Sequence, residues 1–76
     1  MQDVILIPAY KPDKAMLTLV DELAESGFEI LIVDDGSGSG FEPLFDLAAA
    51  KATVIHHEVN RGKGAALKTG IAAIRE

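Results

Sequence analysis

Three short apolar runs, Val4 to Ile7, Ile30 to Val33 and Thr53 to Ile55, constrain the fold of this chain more than any other feature. Each is continuous rather than alternating, the pattern of strands covered on both faces of a parallel sheet. The stretches between them carry helical periodicity. Met16, Leu19, Val20, Leu23 and Ala24 recur as one helical face. Pro12 suits the first turn of that helix, where its missing N–H costs nothing, and Gly27 followed by Phe28 suits its end. Phe41, Leu44, Phe45 and Ala48 mark a second helix with Pro43 in its first turn. A third begins near Gly64, with Leu67, Gly70, Ile71 and Ile74 on one side and Gly70 placed for close contact with the sheet. The expected fold class is α/β: a three-layer βαβαβα arrangement with a parallel sheet and right-handed crossovers. A strand order of 3-2-1 would make it one mononucleotide-binding half of a doubly wound domain.

At 76 residues the chain has room for one small domain or half of a larger one. A domain of roughly 60 residues buries only about 60% of the surface its unfolded chain exposes, so every packed side chain counts. Without cysteine there is no disulfide or thiolate metal site to help, and stability must come from the 49% of residues that are hydrophobic. A net charge of −5 argues against a nucleic-acid footprint, which needs a basic face. Arg61, Lys63 and Lys68 nevertheless lie close together in this acidic chain, enough for a local anion site. No apolar run approaches the roughly 18 residues of a membrane span, and no leader-like segment precedes the first strand. A cytoplasmic location is expected.

Ligands of such sheets bind beyond the carboxyl ends of the strands. Three segments occupy that rim: Pro8-Ala9-Tyr10-Lys11-Pro12, Asp34-Asp35-Gly36-Ser37 and Asn60-Arg61-Gly62-Lys63-Gly64. A carboxylate closing the second strand accepts hydrogen bonds from a ribose or a base. One of Asp34 and Asp35 is expected to cap the turn through Gly36 and Ser37, and Asp35 is the choice for the ligand contact. Adjacent strand residues point to opposite faces, which argues against the two aspartates, or His56 and His57, sharing a metal. The histidines and Glu58 are therefore taken as strand-end residues. Arg61 and Lys63 flank a glycine-rich turn that leads into a helix, a setting that favours a phosphate over a merely flexible loop. Tyr10 either stacks on a base or packs. The first strand is followed by no glycine-rich dinucleotide fingerprint, and Gly36 to Gly40 is no Walker loop.

Taken in order, Val4-Ile5-Leu6-Ile7-Pro8-Ala9-Tyr10, Ile32-Val33-Asp34-Asp35-Gly36-Ser37 and Asn60-Arg61-Gly62-Lys63-Gly64-Ala65-Ala66-Leu67 resemble the family 2 glycosyltransferases over essentially the whole chain. The group includes polyprenyl-phosphate sugar synthases and bacterial cell-surface transferases. The resemblance implies the GT-A fold, whose first half binds the nucleotide of a nucleotide-sugar donor, and an inverting transfer. It implies that Pro8, Ala9 and Tyr10 line the nucleoside pocket, that Asp35 contacts base or ribose, and that Lys63 lies near the nucleotide. Asp34 is counted with these as a substrate-binding residue, and Gly36 and Arg61 are secondary candidates. Many members have Asn-Glu after the tyrosine, whereas Lys11-Pro12 stand here, which leaves the base unassigned.

The implied partners are a UDP-sugar or GDP-sugar donor and a saccharide or lipid-phosphate acceptor. The implied cofactor is a divalent metal, Mg2+ or Mn2+. In the family the Asp-x-Asp metal motif and the catalytic base lie downstream, so residues 1–76 are expected to be the N-terminal nucleotide-binding part of a longer domain. No catalytic residue or metal ligand is assigned within them. A non-catalytic nucleotide-binding module is the alternative, and a receiver-like signalling domain a more distant one, suggested by Ile30 to Asp35. The exposed edge of the first strand also leads to an expectation that this chain by itself associates.

Overall fold

The computed structural model describes residues 3–75. The elements alternate as the apolar runs require: β1 (Val4–Ala9), α1 (Ala15–Glu25), β2 (Glu29–Asp34), α2 (Glu42–Ala48), β3 (Thr53–His56) and α3 (Lys63–Arg75). A single 3₁₀ turn, Ser39–Phe41, leads into α2. The three strands are parallel in the order β1-β2-β3, the same arrangement as 3-2-1 read from the other edge. Among the described residues no helix is long and apolar enough to cross a membrane.

The central strand carries the core. Ile30 to Asp34 are buried without interruption, whereas the residues of β1 are half-buried from Val4 to Pro8. Ile30 and Ile32 face α1 and α2, where they meet Met16, Val20, Phe45 and Ala48. α3 lies on the opposite face, with Gly70 against Leu6. The result is helix, sheet and helix in three layers.

Helix α1 closes with a Schellman motif. The Phe28 N–H bonds to the Leu23 carbonyl and the Gly27 N–H to that of Ala24, both at 3.1 Å, and Gly27 has φ +87°. At its other end Pro12 lies ahead of the first turn, because α1 starts only at Ala15, whose N–H bonds to the Asp13 carboxylate. The buried stripe also differs by one position from the expected one. Leu17 packs against the core and Leu19 is 43% exposed. α2 forms with Pro43 in its first turn and buries Phe45 and Ala48.

The sharpest departure is in α3, where Ile71 and Ile74 are exposed at 50% and 44%. The line that meets the sheet is Ala66 and Gly70, small residues that bring the helix close. A Cβ at Gly70 would overlap the Leu6 Cδ1 methyl. Alanine in mid-helix is better than glycine by about 1 kcal/mol, but forced overlap costs about 1–3 kcal/mol. Gly70→Ala is therefore expected to destabilise the protein by about 1 kcal/mol. In a Leu6→Ala background the same change should stabilise by a similar amount. Thermal melts of the four variants measure the reversal of sign.

Candidate functional site

The two aspartates at the end of β2 part to opposite faces and do different work. Asp34 takes the face of α2. Its Oδ1 accepts the Ser37 N–H at 3.0 Å and its Oδ2 pairs with His56 Nδ1 at 2.7 Å. The His56 ring sets its edge against Phe45, with 5.6 Å between centroids and 83° between planes. Asp34 is thus the turn-capping residue, and it borders a separate recess with Glu42, Asp46 and His56.

Asp35 turns towards α3, its side chain only 5% exposed. Its Oδ1 accepts the Arg61 N–H at 2.9 Å and its Oδ2 the Gly62 N–H at 2.8 Å. His57 Nδ1 completes the set, 2.9 Å from Oδ1. The His57 ring foremost, then the Arg61 N–H, hold the Asp35 carboxyl below the usual aspartate range against the opposing effect of burial, and the Gly62 N–H adds to this. A carboxylate has about four acceptor directions, so these three bonds leave one on Oδ2.

Further bonds tie the rim together. The Asp35 N–H bonds to the Ala9 carbonyl and the His57 N–H to that of Asp34, both at 2.8 Å. The Lys11 N–H bonds to Ser37 Oγ at 2.8 Å, with Lys11 in the left-handed region at φ +47°. Gly36, at φ +74°, lies so close to the backbone of Val59 and Asn60 that a side chain has no room.

Between the loops opens a cleft of about 370 Å³ bordered by Pro8, Ala9, Tyr10, Asp35, Lys63 and the Asn60–Gly62 loop. Its size is within the usual range of small-molecule sites. Tyr10 is half exposed, and the Lys11 ammonium lies 5.3 Å from its ring centroid. Lys63 opens α3, where free backbone N–H groups and the helix dipole favour an anion.

Of the residues singled out from sequence, Pro8, Ala9, Tyr10, Asp35 and Lys63 therefore converge on one cleft. Asp34, Gly36 and Arg61 stand outside its lining. Gly36 and the Arg61 backbone shape it from behind, while the Arg61 side chain borders a recess shared with His57 and Val59. Sequence reasoning missed the part played by His57 and Thr69. The only signal for His57 was that His-His and Asp-Asp both end neighbouring strands.

Three parallel strands in this order, with helices on both faces and a cleft at their carboxyl ends, define the Rossmann-like class of α/β domain. Within that class the chain belongs to glycosyl transferase family 2, which matches residues 4–76. Two proteins of Methanocaldococcus jannaschii are similar to it. The uncharacterized protein MJ0544 is 30% identical over 71 residues, covering 88% of the chain and 31% of MJ0544. The uncharacterized protein MJ1222 is 32% identical over 69 residues, covering 88% of the chain and 27% of MJ1222. The chain thus spans less than a third of the length of these curated relatives. No solved structure matches it.

Proposed function

We propose that the cleft holds the nucleotide of a UDP- or GDP-sugar and that the protein transfers the sugar, with inversion, to a saccharide or lipid-phosphate acceptor. The observation that carries this reading is the convergence of Tyr10, Asp35 and Lys63 on one cleft. An aromatic face suits a base, a carboxylate with a remaining acceptor direction suits a base or ribose donor, and a lysine at a helix start suits a diphosphate. Membership of the family supports glycosyl transfer in general. Residues 1–76 serve in this proposal as the nucleotide-binding part, with the general base elsewhere in the protein.

A divalent metal, Mg2+ or Mn2+, belongs to the same proposal, with ligands outside this chain. Among the described residues no three His, Asp or Glu side chains converge as a cation site. The proposed setting is the cytoplasm or the cytoplasmic face of a membrane, in bacterial cell-envelope polysaccharide assembly.

Titration of the intact protein with UDP and GDP, with and without Mn2+, tests the binding step, and NMR of the glycoside product tests the stereochemistry. Nucleotide binding and an inverted anomeric centre are expected. Retention, or full activity in excess chelator, would overturn the corresponding part. Binding without turnover on any acceptor would favour a non-catalytic module.

A second element of the proposal concerns the edge of the sheet. Within the described residues β1 pairs only with β2, and Val4-Ile5-Leu6-Ile7 present no charge along the other side. Such edges recruit further strands, and two-fold pairing is the commonest solution for identical chains. The 76-residue chain by itself is expected to sediment as a dimer at low micromolar concentration. A compact monomer there would show that the edge is protected.

A further inference from the structure

The His57 ring ties the ends of β2 and β3 to α3. Its side chain is 7% exposed, follows β3, reaches Asp35 at the end of β2, and is met by Thr69 of α3 at 2.8 Å from Nε2. The ring does not border the cleft, so whatever it does for a ligand it does through Asp35. An ionised carboxylate only accepts, so Nδ1 must carry the proton, and in the neutral ring Nε2 then accepts from the Thr69 hydroxyl. Every buried side-chain polar atom among the described residues has a partner, and a satisfied buried network is rigid.

What the ring adds is directional. Two backbone N–H groups, one to each oxygen, set the plane of the Asp35 carboxylate, but both come from the same short Arg61–Gly62 stretch of loop. The third bond, to Oδ1 from a ring that Thr69 of α3 also holds, braces that orientation from a separate element and leaves the last acceptor direction on Oδ2. His56 provides a natural contrast. It pairs with Asp34 in a similar way, but its ring side chain is 52% exposed and that pair does not reach the cleft.

We propose that His57 is a positioning residue for the nucleotide. Held by Thr69 as the Nδ1–H tautomer, it fixes the orientation in which Asp35 both fastens the Arg61–Gly62 backbone and offers an acceptor to the ligand. The second half of this rests on the nucleotide reading above, and the first half does not.

The test uses the intact protein and two substitutions that divide the ring. In His57→Asn the amide nitrogen replaces Nδ1 and keeps the bond to Asp35. In His57→Gln the amide reaches the place of Nε2 and loses it. Hydrogen exchange at the Arg61 and Gly62 amides, without nucleotide, should accelerate by about tenfold in His57→Gln and by less than about threefold in His57→Asn. UDP or GDP affinity measured by calorimetry should fall in the same order and by similar factors, while His56→Gln should leave both readouts unchanged. Equal losses in the two His57 variants, or no change in either, would overturn the proposal.

Nitrogen-15 NMR of the unmodified protein provides a readout that no folding defect can obscure. A proton on Nδ1 is expected, and a neutral ring protonated on Nε2 would overturn the proposal by itself. Should the unmodified protein bind neither UDP nor GDP, the nucleotide reading falls, while the amide and tautomer measurements still decide the positioning role.

Discussion

Replacing Asp35 with alanine in the intact protein is expected to raise the donor KM by about ten- to a hundredfold, the range for losing hydrogen bonds to a carboxylate. The loss has two sources. One is the acceptor that the proposed function assigns to the nucleotide, and the other is the pair of backbone N–H groups, Arg61 and Gly62, left without a partner behind the cleft. Asp34→Ala should behave differently, lowering the melting temperature with a much smaller change in KM, because its partners Ser37 and His56 hold the turn and the α2 side. Unchanged nucleotide affinity in Asp35→Ala would remove Asp35 from the site. The dependence on pH follows from the lowered pKa. A carboxylate depressed in the folded state contributes its stabilisation above its unfolded value and loses it as pH falls through the folded one. The Asp35 contribution should therefore be complete at neutral pH and disappear only as pH falls below the ordinary 3.8. Melting curves of the wild type and Asp35→Asn should converge in that acid range.

Gly36→Ala is expected to cost at least about 3 kcal/mol, a large share of the stability of a typical domain. At φ +74° an L side chain is already strained by about 1–2 kcal/mol. The larger penalty is overlap: the new Cβ would enter the space of the Asn60 nitrogen and the Val59 carbonyl carbon. Those are backbone atoms fixed by the Asp35 bonds just beyond them, so they cannot move aside as the Leu6 methyl can for Gly70. Gly38→Ala is the matched control. It too has a positive φ, +97°, with ψ 167°, a conformation largely confined to glycine, but an added Cβ meets nothing within 4 Å, and its cost should stay near the strain alone, about 1–3 kcal/mol. Denaturant melts of the two variants compare them directly, and equal losses would show that the Val59–Asn60 contact is not the cause.

The parts of this molecule that sequence could predict are those decided within a single segment. The apolar run of β2 announces itself because a strand buried on both faces has no polar alternation, and that of β1, half-buried, follows the same pattern. The end of α1 is legible at Gly27 and Phe28 because the closing motif needs only those residues and the turn before them. What sequence concealed depends on a neighbour. Periodicity puts Leu19 and Leu17 on almost equal terms, and only the position of β2 and α2 decides that Leu17 is the one buried. Ile71 and Ile74 looked like a core stripe, yet α3 seats itself through Ala66 and Gly70 because small residues permit the closest approach. In the site, Tyr10, Asp35 and Lys63 were accessible from their places after the strands. The two histidines were not, since their role comes from the parallel register that sets His56 beside Asp34.

The way Gly36 abuts Asn60 also bears on redesign. The Ala9–Lys11 loop is bonded to Asp35 and Ser37, and the Asp35–Gly36 turn is bonded to, and pressed against, Asn60 to Gly62. No one of the three can be exchanged for a relative's version without disturbing contacts owned by the other two. A chimera carrying only a foreign Asn60–Lys63 segment inherits a surface shaped for a different turn opposite. The smallest transplantable cassette is all three loops with His57 and Thr69, and variation meant to alter ligand preference is better confined to the outward side chains of Tyr10, Lys11 and Lys63.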